Sequence, residues 1–265
     1  MKTKNSNFAR RSSRRSMIKG TVAGVAGVAA IGGLAAGGVI LTHQQGNNAA
    51  HAQSADRDYN QHWDQKAANK AIANIINIAI TAEELAVIFY SQAIKHSGQL
   101  GFSQNALTDI KAALFEEQAH QMFLAKQGAK ALTHTFSFPY GQDTFNNFDN
   151  FFKVQQLLEA AFVAAYLAAG KEFAALRRPD LVQIAAQIGG VEAEHRAVGR
   201  AIAGQKPADN RIFETVLLKA VADAPGVLKN AGFLNPHDGN SFTFHSVSMD
   251  YTNLYGRSYS DQDWD

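Results

Sequence analysis

The feature that most constrains this chain is a spacing that occurs twice. Glu117 and His120 stand three residues apart, as do Glu192 and His195. With nine Glu and nine His among 265 residues, chance supplies only about 0.3 such pairs. Positions i and i+3 share one helical face. Both pairs interrupt an apolar seam: Leu107, Ile110, Leu114 and Leu124 flank the first, and Leu181, Ala185, Ile188 and Ile202 the second. A carboxylate and an imidazole buried together destabilise a fold unless something compensates them.

Two further glutamates repeat the pattern. Glu83 precedes Glu117 by 34 residues, and Glu159 precedes Glu192 by 33. Each pair brackets a turn almost symmetrically, and antiparallel helices rise equally per residue, by about 1.5 Å. The four carboxylates are therefore predicted to share one layer, with the imidazoles a turn away. Glu83 interrupts the stripe Ile72, Ile76, Ala79, Tyr90 and Ile94, and Glu159 the stripe Phe152, Gln155, Phe162 and Tyr166. Tyr90 follows Glu83 by seven residues, as Tyr166 follows Glu159. The halves read as copies of one helical hairpin.

Helical periodicity and punctuation predict four long helices. The first runs about 66–97, and the second from after Ser103 to Gly128, with Ser103 as N-cap. The third covers about 148–176. Pro179 suits the first turn of the fourth, which reaches about 203. Residues 131–147 carry Pro139, Gly141 and aromatics without helical period and read as a long connection. Two short hairpin loops joined by one long crossover predict an all-α four-helix bundle over 66–205. A short fifth helix is expected at about 209–222. An irregular, aromatic tail should follow from Pro225, bearing Phe242, Phe244, Tyr251, Tyr255, Tyr259 and Trp264, and packing on the bundle or on a partner.

Four buried carboxylates raise one another's pKa and suffer desolvation as well. Two divalent cations balance their four charges, and a carboxylate and imidazole set suits iron or manganese. The chain contains no Cys, which excludes disulfides, iron-sulfur clusters, thiolate zinc sites and Cys nucleophiles.

With these residues in view, the stretches AITAEELAVIFY, FEEQAHQMFL, LLEAAFVAAYLAAG and VEAEHRAVGR resemble the ferritin-like superfamily. They are similar, more narrowly, to exported bacterial ferritin-like domain proteins, some called desiccation-related. The resemblance implies that Glu83, Glu117 and His120 hold one metal and Glu159, Glu192 and His195 the other, with Glu117 and Glu192 bridging. Some relatives carry an Asp immediately before Glu-x-x-His; Glu116 and Val191 stand there in this chain, which leaves the imidazole partners unidentified.

Other polar residues have plainer readings. Glu84, sharing a face with Ile80 and Val87, competes with Glu83 for the inward position. Tyr90 and Tyr166 read as core residues with a hydrogen-bonded hydroxyl, or as donors to the ligands or redox relays. Glu116, Glu172, Glu194, His62 and His96 read as solvated, and His134, His237 and His245 lie in irregular segments with no nameable partner.

The first 52 residues follow a different logic. They hold seven basic and no acidic side chains; setting them aside leaves 18 basic against 23 acidic. That balance gives nucleic acid no electrostatic footprint. SRRSMIKG, residues 13–20, resembles the twin-arginine export signal, with Met17 where Phe is usual. Residues 20–41 are 22 uncharged residues, seven of them Gly and six Ala, and Ala50–Ala52 offers a cleavage site. Residues 1–52 are thus expected to be a signal peptide, with 53–65 a linker; retention as an anchor, with membrane contact, is the alternative. The resemblance implies export of an already folded, cofactor-loaded protein to the periplasm, cell wall or medium. The functional expectation is an oxidoreductase acting on peroxide, dioxygen or ferrous iron under oxidative or desiccation stress. A non-catalytic metal-binding or structural envelope protein is the alternative, and a homo-oligomer remains open.

Overall fold

A computed structural model describes residues 63–248. The expected signal peptide, most of the linker, His62 and the tail residues Tyr251, Tyr255, Tyr259 and Trp264 lie outside them. Four long helices form where periodicity places them: α1 (Gln65–Lys95), α2 (Gln104–Lys126), α4 (Phe148–Ala175) and α5 (Pro179–Ile202), with a single-turn α3 (Asp143–Asn146) in the crossover. Asp64, Ser103 and Asn147 accept hydrogen bonds from the first-turn amides of Ala67, Ala106 and Asn150, and Pro179 opens α5. Gly128, with φ of 85°, stops α2 in a backbone conformation that few other residues adopt.

α1 lies along α2, and α4 along α5. Glu83 and Glu84 sit in α1, which is long and apolar enough to cross a membrane by length and composition; 67% of its most apolar window is buried within the bundle. The crossover from α2 to α4 holds β1 (Thr135–Phe136), which pairs antiparallel with β2 (Phe242–Thr243) in the register Thr135 with Thr243 and Phe136 with Phe242. Asn240 clamps the same junction, accepting from the Phe138 amide and donating to its carbonyl.

The core has two parts. One surrounds Phe89, Phe138, Phe145 and Phe151, toward the C-terminus of α1. The Phe89 and Phe151 rings stack 5.0 Å apart. The other joins Ile75, Ile78, Ala164, Tyr166, Ala185 and Ile188, toward the N-terminus of α1.

The fifth helix is displaced from its expected position. Residues 209–220 are irregular, a 3-10 turn occupies Val221–Asp223, and α6 covers Ala224–Asn230. Pro225 therefore stands in the first turn of a helix instead of starting a tail, as a residue without an amide hydrogen can. The segment before it is held by side chains: Asn210 accepts from Arg196 at 2.9 Å, and Glu214 pairs with Arg196 and Arg211. Glu172, expected to be solvated, accepts from the Val221 amide at 2.7 Å.

Candidate metal centre

The six predicted side chains converge at mid-height of the bundle. Glu117, Glu159 and Glu192 are completely buried, and Glu83, His120 and His195 nearly so. Ligand atoms of Glu83, Glu117, His120 and Glu192 lie within 4.8 Å of one another, and so do those of Glu117, Glu159, Glu192 and His195. Glu117 and Glu192 belong to both groups, where a bridging carboxylate has to be. Each group can hold a metal ion.

The atoms facing this space are the ones that lack partners. Glu83 Oε2, both oxygens of Glu117, His120 Nδ1, Glu159 Oε2 and Glu192 Oε1 are buried without hydrogen bonds. Six of the nine such side-chain atoms among the described residues thus come from one cluster. Native proteins rarely leave buried polar atoms unpaired unless an ion or a water satisfies them. The donor set fits a hard or borderline dication held by oxygen and imidazole.

The electrostatics express the same frustration. Burial, reinforced by neighbouring carboxylates, pushes the Glu83 and Glu159 carboxyls well above the usual range. Burial acts in the same direction on Glu117, but the adjacent His120 and His195 outweigh it and hold that carboxyl well below. Burial alone would lower both imidazoles. Contacts with Glu117, Glu192 and Glu83 around His120, and with Glu116, Glu117 and Glu192 around His195, raise them instead. Cations held in this space would offset both the burial and the repulsion among the carboxylates.

The tyrosines cross between the hairpins. Tyr90 donates to Glu159 Oε1, and Tyr166 donates to Glu83 Oε1. Burial and these carboxylates raise both phenols, so the hydroxyls stay protonated as donors. The donor role is the one realised, and the carboxylates that belong to only one ligand group receive it. Gln155 adds a second layer, donating to the His195 carbonyl at 2.7 Å and to the Tyr90 oxygen at 3.3 Å.

A family profile described as "Ferritin-like domain" matches residues 72–205. The chain belongs to the ferritin-like domain family. No curated protein and no solved structure matches it significantly. The matched residues of this ferritin-like domain contain all six clustered side chains and both tyrosines.

Glu116 corrects the sequence reading. Expected to be solvated, it places Oε2 2.8 Å from His195 Nε2. A proton on that nitrogen leaves Nδ1, which lies 3.0 Å from Glu117 and 3.3 Å from Glu192, to face the centre. His120 likewise turns Nδ1 inward, 3.3 Å from Glu192 and 3.5 Å from Glu83. Glu84 is buried but faces away, 2.7 Å from Nδ1 of His134, which thereby acquires a partner. The sequence signal for Glu116 was its place directly before Glu-x-x-His; nothing comparable marked His134.

Proposed function

We propose that this ferritin-like domain holds two divalent ions, iron or manganese, and acts outside the cytoplasm as an oxidoreductase on peroxide or ferrous iron. The observation that carries the reading is the pair of overlapping ligand groups sharing Glu117 and Glu192. Four carboxylates and two neutral imidazoles match the charge of two dications, and an all-oxygen and nitrogen set suits these metals. When bound, a pair of redox-active ions supplies two electrons at adjacent positions and an electrophilic surface for an oxygen–oxygen bond.

The protein side of the chemistry lies in position and protons. Tyr166 and Tyr90 orient Glu83 and Glu159 through their hydroxyls. Glu116 fixes His195 in the tautomer that turns Nδ1 inward. The surrounding helices exclude bulk water, which strengthens every charge interaction within. The SRRSMIKG stretch and the uncharged residues after it support export of a folded protein loaded with metal beforehand. A role in oxidative or desiccation stress agrees with that location.

The test is metal analysis of protein purified from its own host, followed by peroxide-consumption and ferrous-oxidation assays. Turnover is expected, and Glu117→Ala or His195→Ala should abolish it together with metal retention. Activity surviving both changes would remove the proposal. Stoichiometric metal in a protein inert to both substrates would reassign it to metal sequestration.

A further inference from the structure

The two halves of the bundle are filled differently on either side of the centre. Toward the C-terminus of α1, the rings of Phe89, Phe138, Phe145 and Phe151 close the interior at centroid separations of 4.9–5.9 Å. Toward its N-terminus the four long helices line a cavity of about 140 Å³ that is partly open to solvent. Its walls include Ile76 and Ala79 of α1, Leu124 of α2, Ala169 of α4, and Ala185 and Ile188 of α5. Three of these residues fix its position. Ala79, Leu124 and Ile188 each lie one helical turn from Glu83, His120 and Glu192, three members of one ligand group. Tyr166 belongs both to the wall and to the centre, since its hydroxyl is bonded to Glu83.

Apart from Tyr166, the polar lining is confined to Gln127 and Arg178, the C-cap of α2 and the N-cap of α5. Both stand at the end of the bundle, and the Arg178 guanidinium is occupied by Asp180 at 2.6 Å. A hydrated cation entering here would lose its water shell without gaining a ligand, and peroxide would find few hydrogen bonds. Apolar walls around a space of this size can take up xenon or benzene. An unfilled cavity also destabilises a fold, and one larger side chain would remove it.

We propose that this chamber binds a small, uncharged, apolar molecule, no larger than a single six-membered ring, one turn from the Glu83–His120–Glu192 ligands. Its role as an approach to the metal pair rests on the function proposed above. The species using this route is then dioxygen or a small hydrocarbon-like molecule, while ferrous iron enters elsewhere.

The full-length, metal-loaded protein is tested with two probes, alongside a chelator-treated sample. Xenon is located by diffraction from pressurised crystals, and benzene binding is followed by the shift in melting temperature. Xenon is expected between Ile76, Leu124 and Ala185. Benzene binding in addition points to a small organic ligand, and xenon alone to a gas. Ala185→Leu should abolish uptake of both while metal content stays at the wild-type value. Ile188→Ala, which enlarges the chamber, should strengthen benzene binding and serves if Ala185→Leu does not fold. Absence of uptake by the wild type, or uptake indifferent to both substitutions, overturns the proposal. Metal analysis on the same samples separates the two ideas: full metal without apolar uptake removes the chamber alone, and apolar uptake without metal removes the oxidoreductase reading alone.

Discussion

Tyr90 of α1 donates its hydroxyl to Glu159 of α4, across the boundary between the two hairpins. Tyr166 of α4 returns the same bond to Glu83 of α1. Each hairpin therefore orients a carboxylate of the other, and the two candidate ligand groups are coupled beyond the two glutamates they share.

Removing either hydroxyl should loosen its carboxylate. A hydrogen bond to a charged group contributes about 1.5–3 kcal/mol, so Tyr90→Phe or Tyr166→Phe should weaken metal binding about tenfold or more. Competition with a chelator of known affinity measures this. Unchanged affinity in both variants would reduce the tyrosines to core packing.

Glu116 is a positioning residue for His195, to which it is bonded at 2.8 Å. Glu116→Gln should weaken metal at the group containing His195 by about 10–100-fold, as is usual for partners behind a metal ligand. The group containing His120 should change less. A metal titration resolving two binding steps is the measurement, and an equal loss in both steps would contradict the assignment.

Stability should depend on pH in opposite ways with and without metal. The folded-state pKa values of Glu83 and Glu159 lie above the ordinary 4.5, and those of His120 and His195 above the ordinary 6.5. The metal-free folded protein thus binds more protons than the unfolded chain, and the stability this gives is lost as pH rises through the raised values. Glu117, held below 4.5, acts in the reverse sense, contributing above that value and losing its contribution at lower pH. The melting temperature of chelator-treated protein should therefore fall as pH rises beyond the ordinary imidazole value of 6.5. Metal affinity should rise in the same direction of pH because binding releases protons. A flat profile for the metal-free protein would contradict both statements.

Gly199 is required by its neighbour. A Cβ there would collide with the side-chain amide of Gln155, and Gln155 is the residue that holds the His195 carbonyl and the Tyr90 oxygen. Gly199→Ala should cost about 1–3 kcal/mol as overpacking, read as a lower melting temperature. Adding Gln155→Ala should recover part of that loss. A double variant no better than the single one would place the strain elsewhere.

The clustered carboxylates and imidazoles were legible because helices translate sequence spacing directly into geometry. An interval of three puts Glu117 and His120, or Glu192 and His195, on one face, and matched distances from a turn level Glu83 with Glu117 and Glu159 with Glu192. The long helices were equally legible, through Ser103 as cap, Gly128 as stop and Pro179 in a first turn.

What escaped was whatever depends on elements distant along the chain. Glu116 is only one residue from Glu117, yet its side chain leaves the helix about 100° away; the approach of α5 to α2 converts that outward direction into a bond with His195. Pro225 permits either a helix start or an irregular tail, and the ties of Asn210 and Glu214 to Arg196 are not encoded in local period. The pairing of Thr135 with Thr243, the bond from His134 to Glu84 and the chamber beside Tyr166 likewise belong to the assembled bundle. Period, caps and turns act over a few residues and can be read in order, whereas contacts between remote segments are chosen by packing, which no short stretch contains.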